Sequence, residues 1–344
     1  MRRILALAIV ALTAVMGLSA GGGNESSAAA SGGPKPVSLV FSTQGLGTNM
    51  NSQANAIIAA AMKTLPPGSK IDVETTSPGA VSAAFTVEEG LADLTMACGA
   101  AAYWASHDGL LGRPVTKKVR GIAGGFDEPV SIIVLTDAFV KRTGIKTLEE
   151  AVGKKYPFHF ATKAVGSLGE MTAKTVLGAY GASYEDIKSW GGSVTLVDSA
   201  NVIAMLKDGK ADISVDHTTT AQPNWVELGM TTPIHITTPP DAILKKLKAQ
   251  GYAETLLPKG SYNNNVKADM PTVGSGNNLL ISADVDDNTV YLITKAICEN
   301  KDLLVSMFAT FSVFDPATAW DVGKVGAPLH PGAEKYYREK GYLK

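Results

Sequence analysis

The sequence predicts an α/β protein built from two similar lobes, and three observations support this prediction. First, 344 residues are enough for two domains of ordinary size. Second, short apolar runs alternate with segments of helical pattern from Pro34 onward, which favours parallel strands joined by right-handed crossovers. Third, one string of residues occurs twice, as Glu88–Leu94 and as Lys207–Ile213. Two such lobes enclose a cleft, and clefts bind small molecules.

The repeated string combines a helix end with the start of a buried strand. Each copy has a glycine, Gly90 or Gly209, at the point where a helix can end in the left-handed conformation. An Ala-Asp-apolar step follows, and its aspartates, Asp93 and Asp212, are 119 positions apart. A helix followed by glycine and a strand is common in α/β proteins, so the string by itself also fits a single long sheet.

The alternation of patterns gives provisional bounds for the two lobes. We expect residues 36–127 to form the first part of lobe 1, residues 128–283 to form lobe 2, and residues 284–344 to return to lobe 1. Helices are predicted at Ala54–Lys63 and Pro78–Glu89, and Asn278–Ser282 is predicted to be the strand that crosses back. The segment from Pro239 to Gly274, with three consecutive asparagines, is predicted to be irregular.

Composition and the N-terminal residues indicate an exported protein. Charged residues make up 18% of the chain and the formal net charge is -1, so no basic excess points to nucleic acid. Arg2 and Arg3 precede an apolar run from Ile4 to Leu18, which predicts a signal peptide at 1–20. A Gly-, Ser- and Ala-rich tether is predicted at 21–35. After this leader no run of 18 apolar residues remains, so we expect a soluble periplasmic or otherwise extracytoplasmic chain.

Two details of the exported chain leave alternatives open. Leu18-Ser19-Ala20 is typical of the start of a bacterial lipoprotein box, but position 21 is glycine where lipidation needs cysteine. Either a soluble periplasmic product is natural, or that residue was changed. The chain has two cysteines, Cys98 and Cys298, and an oxidising compartment permits a disulfide between them. Two buried free thiols are the simpler interpretation.

The common catalytic motifs do not occur in this sequence. It contains no phosphate-binding loop, no dinucleotide-binding Gly-x-Gly-x-x-Gly after a strand and no His-Glu-x-x-His. It also lacks the Gly-x-Ser-x-Gly elbow, and its five histidines have no metal-ligand spacing. We therefore expect a protein that is not an enzyme, with no catalytic residue, no metal site and no cofactor.

Polar loops follow several predicted strands, at the ends where ligands bind in parallel sheets. These loops supply hydroxyl groups, small residues and free N–H groups at helix starts, which together favour an anion. The candidate ligand-binding residues are Thr43, Gly47, Thr48, Asn49, Thr75, Ser77, Gly79 and Cys98 in lobe 1, and Lys163, Gly166, Ser167, Asp216, His217 and Thr218 in lobe 2.

Each candidate also has a simpler structural interpretation. Serine and threonine before a helix usually only cap it. Lys163 can be a solvated surface lysine, and His217 can form a hydrogen-bonded structural pair with its neighbour Asp216. The functional interpretation is favoured because five such loops fall in the expected topological places and no catalytic motif competes with them.

The ordered set of motifs resembles the TAXI-type solute-binding proteins of TRAP transporters, from about residue 36 to the end of the chain. The resemblance is carried by several segments: Thr75–Gly79, Gly90–Leu94, Ala101–Ala105, Glu128–Val130, Lys146–Glu150, Gly166–Ala173 and Leu329–Glu339. It implies a two-lobed periplasmic binding protein of type II-like fold, each lobe a mainly parallel sheet flanked by helices. It also implies a small organic anion as ligand, a carboxylate or glutamate-like amino acid.

The resemblance further implies delivery of the ligand to the integral membrane subunits of a TRAP transporter, by a protein expected to be a monomer. A binding protein for an ABC importer or a sensor kinase, and a periplasmic enzyme on the same scaffold, remain as alternatives. The chain departs from the family at Gly45–Met50, where relatives usually have Gly-Gly-Thr-Tyr-Tyr, and at Cys98, where Ser or Asp is common. No arginine falls in the loops, so Lys163 and helix N-termini would have to hold a carboxylate.

Overall fold

Two five-stranded sheets and one two-stranded ribbon contain the strands of residues 35–344, the part of the chain that this computed structural model describes. The predicted signal peptide lies outside the described residues, as does the predicted tether except for its last residue. The strands are β1 (Ser38–Ser42), β2 (Lys70–Glu74), β3 (Leu94–Cys98), β4 (Val119–Gly124), β5 (Val130–Thr136), β6 (His159–Lys163), β7 (Ser193–Val197), β8 (Ile213–Thr218), β9 (Ile234–Thr237), β10 (Ala253–Leu257), β11 (Met270–Gly274) and β12 (Asn277–Ser282).

Helices flank both sheets and make up most of the last sixty described residues. They are α1 (Asn49–Ala61), α2 (Ala84–Glu88), α3 (Gly99–His107), α4 (Asp137–Thr143), α5 (Leu148–Gly153), α6 (Leu168–Ala179), α7 (Tyr184–Ser189), α8 (Ser199–Lys207), α9 (Pro223–Thr231), α10 (Asp241–Lys248), α11 (Ser261–Asn264), α12 (Asp287–Glu299), α13 (Lys301–Met307), α14 (Val322–Val325) and α15 (Pro331–Glu339), with a 3-10 helix at Ala309–Val313. Within residues 35–344, no helix has the length and apolar character that crossing a bilayer requires.

The two sheets have the same topology. The first has the order β2-β1-β3-β12-β4 and the second the order β7-β6-β8-β5-β9. In each sheet the first three strands pair in parallel, and the fourth is antiparallel to both of its neighbours. Four strands of each sheet therefore point the same way. This arrangement confirms the predicted fold class, two mainly parallel sheets flanked by helices.

The repeated string makes the same hydrogen bonds in both sheets. The Asp93 carboxylate accepts from the backbone N–H of Val40 at 2.8 Å, and the Asp212 carboxylate accepts from that of His159 at 2.9 Å. The carbonyl oxygen of each aspartate accepts from the antiparallel strand, β12 or β5, at 2.8 and 2.9 Å. Val40 and His159 are again 119 positions apart. The string is thus a structural joint that ties the third strand of each sheet to the two strands beside it.

Three apolar clusters form the core. One lies under α1 and α12 beside the first sheet, and one lies beside the second sheet under α8 and α9. The third contains residues of both sheets, among them Cys98 and Phe160, so apolar packing continues from one lobe to the other. Both cysteines are buried free thiols, which agrees with the simpler of the two interpretations. Burial raises the pKa of Cys98 to about 11 and that of Cys298 to about 12.

Several predicted bounds were wrong. Helix α1 begins at Asn49 rather than Ala54, because Thr48 caps it and its polar first turn continues directly from the loop. Helix α2 is much shorter than predicted, since Gly79 adopts a φ of 111° that interrupts a helix there. The strand predicted at Asn278–Ser282 is β12, which pairs with β3 and β4 of the first sheet. The lobe bounds stay predictions.

The segment from Pro239 to Gly274 was predicted to be irregular, and this prediction was wrong. The segment contains α10 and the antiparallel pair β10 and β11. Helix α10 buries Ile243, Leu244 and Leu247 on one face and has lysines in its last turn, which is an amphipathic pattern. Prolines and the run of asparagines near residue 264 obscured this pattern.

Candidate functional site

A cavity of about 470 Å³ lies at the carboxyl ends of β1, β3, β6 and β8. This is the edge of a parallel sheet where ligands bind, and here both sheets contribute to it. Its lining consists of Gln44, Asn49, Met50, Ala80 and Cys98 from lobe 1, Lys163, Leu168, His217, Thr218, Thr219 and Gln222 from lobe 2, Asp127, Pro129 and Ser275 from the segments that connect the sheets, and Asn277 at the start of β12.

Matching loops lead into this cavity from β1 and β6, the second strands of the two sheets. Thr43–Thr48 follows β1 and Thr162–Ser167 begins with the last two residues of β6, with each pair of equivalent residues 119 positions apart. Gly47 and Gly166 take positive φ angles of 82° and 78°, a conformation that favours glycine. The next residue in each loop caps a helix: one accepts from a backbone N–H of α1 at 3.3 Å, the other from one of α6 at 3.2 Å. The same backbone device is thus used twice.

Two helix starts therefore face the cavity from different lobes. The first residues of α1 and α6, including Asn49, Met50 and Leu168, line it directly. The first N–H groups of a helix have no partner within the helix. In both helices the cap occupies only one of these donors, so backbone N–H groups remain available for an anion.

Lys163 is the cationic side chain among the described residues of the cavity lining, and the buried carboxylate of Asp216 balances its charge. Its Nζ lies 2.9 Å from Oδ1 of Asp216 and donates to the backbone oxygen of His217 at 3.1 Å. The indole N–H of Trp225 donates to Oδ2 of Asp216 at 2.7 Å. Burial raises the pKa of Asp216, and Lys163 opposes that shift. Oδ1 has no aligned hydrogen bond, so the Lys163 contact is mainly electrostatic.

Gly169 makes room for this ion pair at the start of α6. A Cβ atom at this position would lie 2.5 Å from Cδ of Lys163 and 2.8 Å from Oδ1 of Asp216. Only glycine lets the helix start approach both side chains so closely. Gly169 thus has a packing role that the sequence pattern alone did not specify.

His217 is a neutral group at this site. It is buried, and its Nε2 accepts from the backbone N–H of Ser275 at 3.0 Å, which assigns the ring proton to Nδ1. Burial, with a smaller effect of the Lys163 charge, lowers the pKa of His217 to about 3. Nδ1 has no hydrogen-bond partner in residues 35–344 and is not enclosed. His217 is therefore an uncharged donor at the cavity wall.

Cys98 occupies the position of lobe 1 that corresponds to His217, 119 positions earlier. It ends β3 and precedes α3, and its thiol is buried and protonated at neutral pH. The start of α3 is already occupied, because the N–H of Ala100 donates to Oγ of Ser275 at 2.8 Å and that of Gly99 to a backbone oxygen at 3.0 Å. The start of α3 therefore leaves fewer free backbone N–H groups for a ligand than the starts of α1 and α6 do.

The structure brings five of the fourteen predicted site residues to the cavity lining: Asn49, Cys98, Lys163, His217 and Thr218. Five others shape the surrounding loops or support the lining, as caps (Thr48, Ser167), left-handed turns (Gly47, Gly166) or a buried counter-charge (Asp216). Thr43 is buried below the first loop, where its N–H donates to the carbonyl oxygen of Glu74. Thr75, Ser77 and Gly79 follow β2 and do not contribute to the lining of this cavity.

Sequence reasoning missed the residues on the connections between sheets. Asp127 lies between β4 and β5, and its Oδ1 accepts from the backbone N–H of Asn277 at 2.7 Å. Gly276 allows this contact, since a Cβ there would lie 2.4 Å from the backbone oxygen of Asp127. The predicted lobe boundary between residues 127 and 128 was the available signal, because any segment that crosses between lobes must pass beside the cleft. Within residues 35–344, no group of three or more His, Cys, Asp or Glu is arranged to hold a metal ion.

Two like-folded α/β lobes, connected by crossing segments and sharing a cavity at their strand ends, define the class of two-lobed solute-binding folds. The chain belongs to the NMT1-like family, whose sequence profile matches residues 42–341.

One solved structure agrees with this fold. The chain is similar to a TctC solute-binding protein from Polaromonas, with 14% identity over 90% of this chain and 98% of that one and a TM-score of 0.50. It also aligns with PhnD1 of Prochlorococcus marinus in complex with methylphosphonate, at 12% identity over 90% and 100% of the two chains and a TM-score of 0.47. A third is MatC of Rhodopseudomonas palustris with bound malate, at 14% identity, the same coverages and a TM-score of 0.45.

Proposed function

We propose that this chain is an extracytoplasmic solute-binding protein that captures a small organic anion, a carboxylate or an amino acid, in the cleft between its lobes. One observation carries the proposal: the starts of α1 and α6, from different lobes, line one cavity of about 470 Å³. Cavities that bind small molecules are typically of this size. Membership of the NMT1-like family also supports a solute-binding function. The ligand class and the extracytoplasmic location are part of the proposal.

The anion would be held mainly by backbone and neutral donors. A helix N-terminus stabilises a nearby negative charge by ~0.3–1 kcal/mol when exposed and by up to ~2 kcal/mol when partly buried. Lys163 adds a positive charge, but Asp216 balances most of it at 2.9 Å. His217 contributes an uncharged donor. A ligand touching both helix starts would favour the closed arrangement of the lobes through contacts that the open arrangement lacks.

We also propose that the protein delivers its ligand, as a monomer, to the integral membrane component of a TRAP transporter. The support is the resemblance of the motif series to the TAXI type. Reconstituted uptake tests this step: the purified chain should restore ligand uptake to vesicles that contain a many-span membrane protein encoded beside its gene, driven by an ion gradient. Uptake that requires an ATPase would instead assign the chain to an ABC importer.

Mass spectrometry of the small molecules released on denaturing natively purified protein tests the ligand class. We expect one compound with a carboxylate at close to one equivalent per chain. A thermal-shift screen of dicarboxylates and amino acids is the cheaper measurement, since a ligand at 100 times its Kd stabilises a protein by ~2.7 kcal/mol. Conversion of the bound compound by the purified protein would overturn the proposal in favour of a periplasmic enzyme.

A further inference from the structure

Among residues 35–344, Asp127 is the one acidic side chain in the cavity lining, and it lies where the chain crosses between sheets. It is partly buried, and its Oδ1 accepts from the N–H of Asn277, the first residue of β12. The two crossing segments run side by side here, and Gly276 allows their backbones to approach. The carboxylate is therefore held in place by both connections between the lobes.

The charges around the cavity favour an anion that also carries a positive group. Lys163 and Asp127 are the charged members of the lining among the described residues, because His217 is neutral. Lys163 already has Asp216 as its partner at 2.9 Å. Asp127 forms no ion pair within residues 35–344. The lining together with Asp216 thus carries one uncompensated negative charge when Asp127 is ionised.

A partly buried carboxylate without a counter-ion is unfavourable, and a cationic group supplied by the ligand would remove the cost. Burial raises the pKa of Asp127 to about 6, and the N–H of Asn277 only partly opposes that shift. The same cavity offers the helix starts of α1 and α6 to a negative group. One cavity therefore presents a recognition element for each end of a zwitterion.

We propose that Asp127 binds the ammonium group of an amino-acid ligand whose carboxylate is held at the helix starts. This inference rests on the proposed function and narrows its ligand class from small carboxylates to α-amino acids. Asp127 is then the residue that discriminates an amino acid from the same acid without its amino group. A removed or protonated Asp127 leaves the ammonium desolvated with no partner, so discrimination should disappear with the charge.

Titration calorimetry with matched pairs of compounds tests the assignment. The probes are L-glutamate with glutarate, L-glutamine with glutaramate, and L-leucine with 4-methylpentanoate, each measured with the wild-type protein at pH 7.5. We expect the amino acid of at least one pair to bind at least tenfold more tightly than its partner. Asp127→Asn keeps the shape and the acceptor for Asn277, and should weaken amino-acid binding at least tenfold, while the amine-free compound binds as tightly as to the wild type or more tightly.

Glu128→Gln is the matched control, since it neutralises the adjacent, exposed carboxylate that does not line this cavity. It should leave all affinities within twofold of wild type. Equal or tighter binding of the amine-free compounds by the wild-type protein would overturn the assignment of Asp127 while the proposed function stands. That comparison needs no variant, so it holds even if Asp127→Asn folds poorly. Failure of every compound to bind would reject the small-carboxylate class, and the assignment with it.

Discussion

The two lobes share one backbone design and differ in the chemistry they place on it. Gln44 of lobe 1 and Lys163 of lobe 2 occupy equivalent positions at the carboxyl ends of β1 and β6, and Cys98 and His217 occupy equivalent positions at the ends of β3 and β8. Lobe 1 thus contributes uncharged groups at both positions. Lobe 2 contributes a lysine that is paired with a buried carboxylate. The comparison shows that strand and helix ends set where the ligand lies, whereas a few side chains set what it is.

The largest expected effect follows from the charge of Lys163, since the equivalent residue of lobe 1 is uncharged. Lys163→Met leaves Asp216, which is 3% exposed, without its partner, and breaking a buried pair from one side costs ~3–5 kcal/mol. Gln44→Met in lobe 1 removes no paired charge and should change the free energy of unfolding by less than ~0.5 kcal/mol. Urea denaturation of both variants measures the contrast.

The double variant Lys163→Met with Asp216→Asn is the control for this interpretation. It removes both charges and should recover at least half of the lost stability, because no uncompensated ion remains. A loss below ~1 kcal/mol for Lys163→Met alone would mean that the pair is not structural. Lys163 would then be free to bind the ligand directly, and the contrast between the lobes would be one of function only.

The repeated aspartates should contribute similarly in both lobes, with the larger effect in lobe 2. Asp93→Ala and Asp212→Ala each remove a charge-assisted hydrogen bond to a backbone N–H, a loss of ~1.5–3 kcal/mol. Asp212 also pairs with Arg142 at 2.8 Å, but that arginine is half exposed and adds at most ~1 kcal/mol. Thermal denaturation of the two variants should therefore rank Asp212→Ala as the less stable. An Asp93→Ala variant as stable as wild type would show that the joint matters in one lobe only.

Prediction from sequence succeeded where a local pattern determines the structure. Alternating apolar runs and helices fixed the two-sheet α/β class, and the repeated string located the matching joints at Asp93 and Asp212. The strand-end loops also led to five residues of the cavity lining. Each of these features depends on residues close together in the chain.

Prediction failed where the outcome depends on distant residues. The pairing of Lys163 with Asp216 joins two strand ends that are 53 positions apart, so the sequence could not show that the lysine's charge is already balanced. Asp127 enters the site because it meets Asn277, 150 positions later. The pair β10 and β11 was missed for the same reason, since its strands are stabilised by each other and by contact with the second sheet. Tertiary contacts decide such cases.

An intermediate effect should follow from Gly169, where the two helix starts differ in side-chain size. Gly169 in α6 corresponds to Met50 in α1, and a methyl group at Gly169 would contact the Lys163–Asp216 pair at 2.5 and 2.8 Å. Gly169→Ala should therefore destabilise the protein by ~1–3 kcal/mol through overpacking. Gly178→Ala is the matched control in the same helix, with open space around it, and should stabilise by up to ~1 kcal/mol. Equal effects of the two substitutions, measured by urea denaturation, would contradict the packing role of Gly169.

The smallest expected effect concerns the equivalent residues Cys98 and His217. Despite their different chemistry, neither should contribute to the pH dependence of ligand binding. The pKa of Cys98 is about 11 and that of His217 is about 3, so neither changes charge between pH 5 and pH 8. Wild-type affinity for an amino acid should fall as the pH drops below about 6, because Asp127 then takes up a proton and no longer attracts the ammonium group. In Asp127→Asn that dependence should vanish, and calorimetry should give affinities within twofold from pH 5 to pH 8. A remaining transition near pH 6.5 in this variant would show that His217 titrates normally, which would break the similarity between the two lobes at this position.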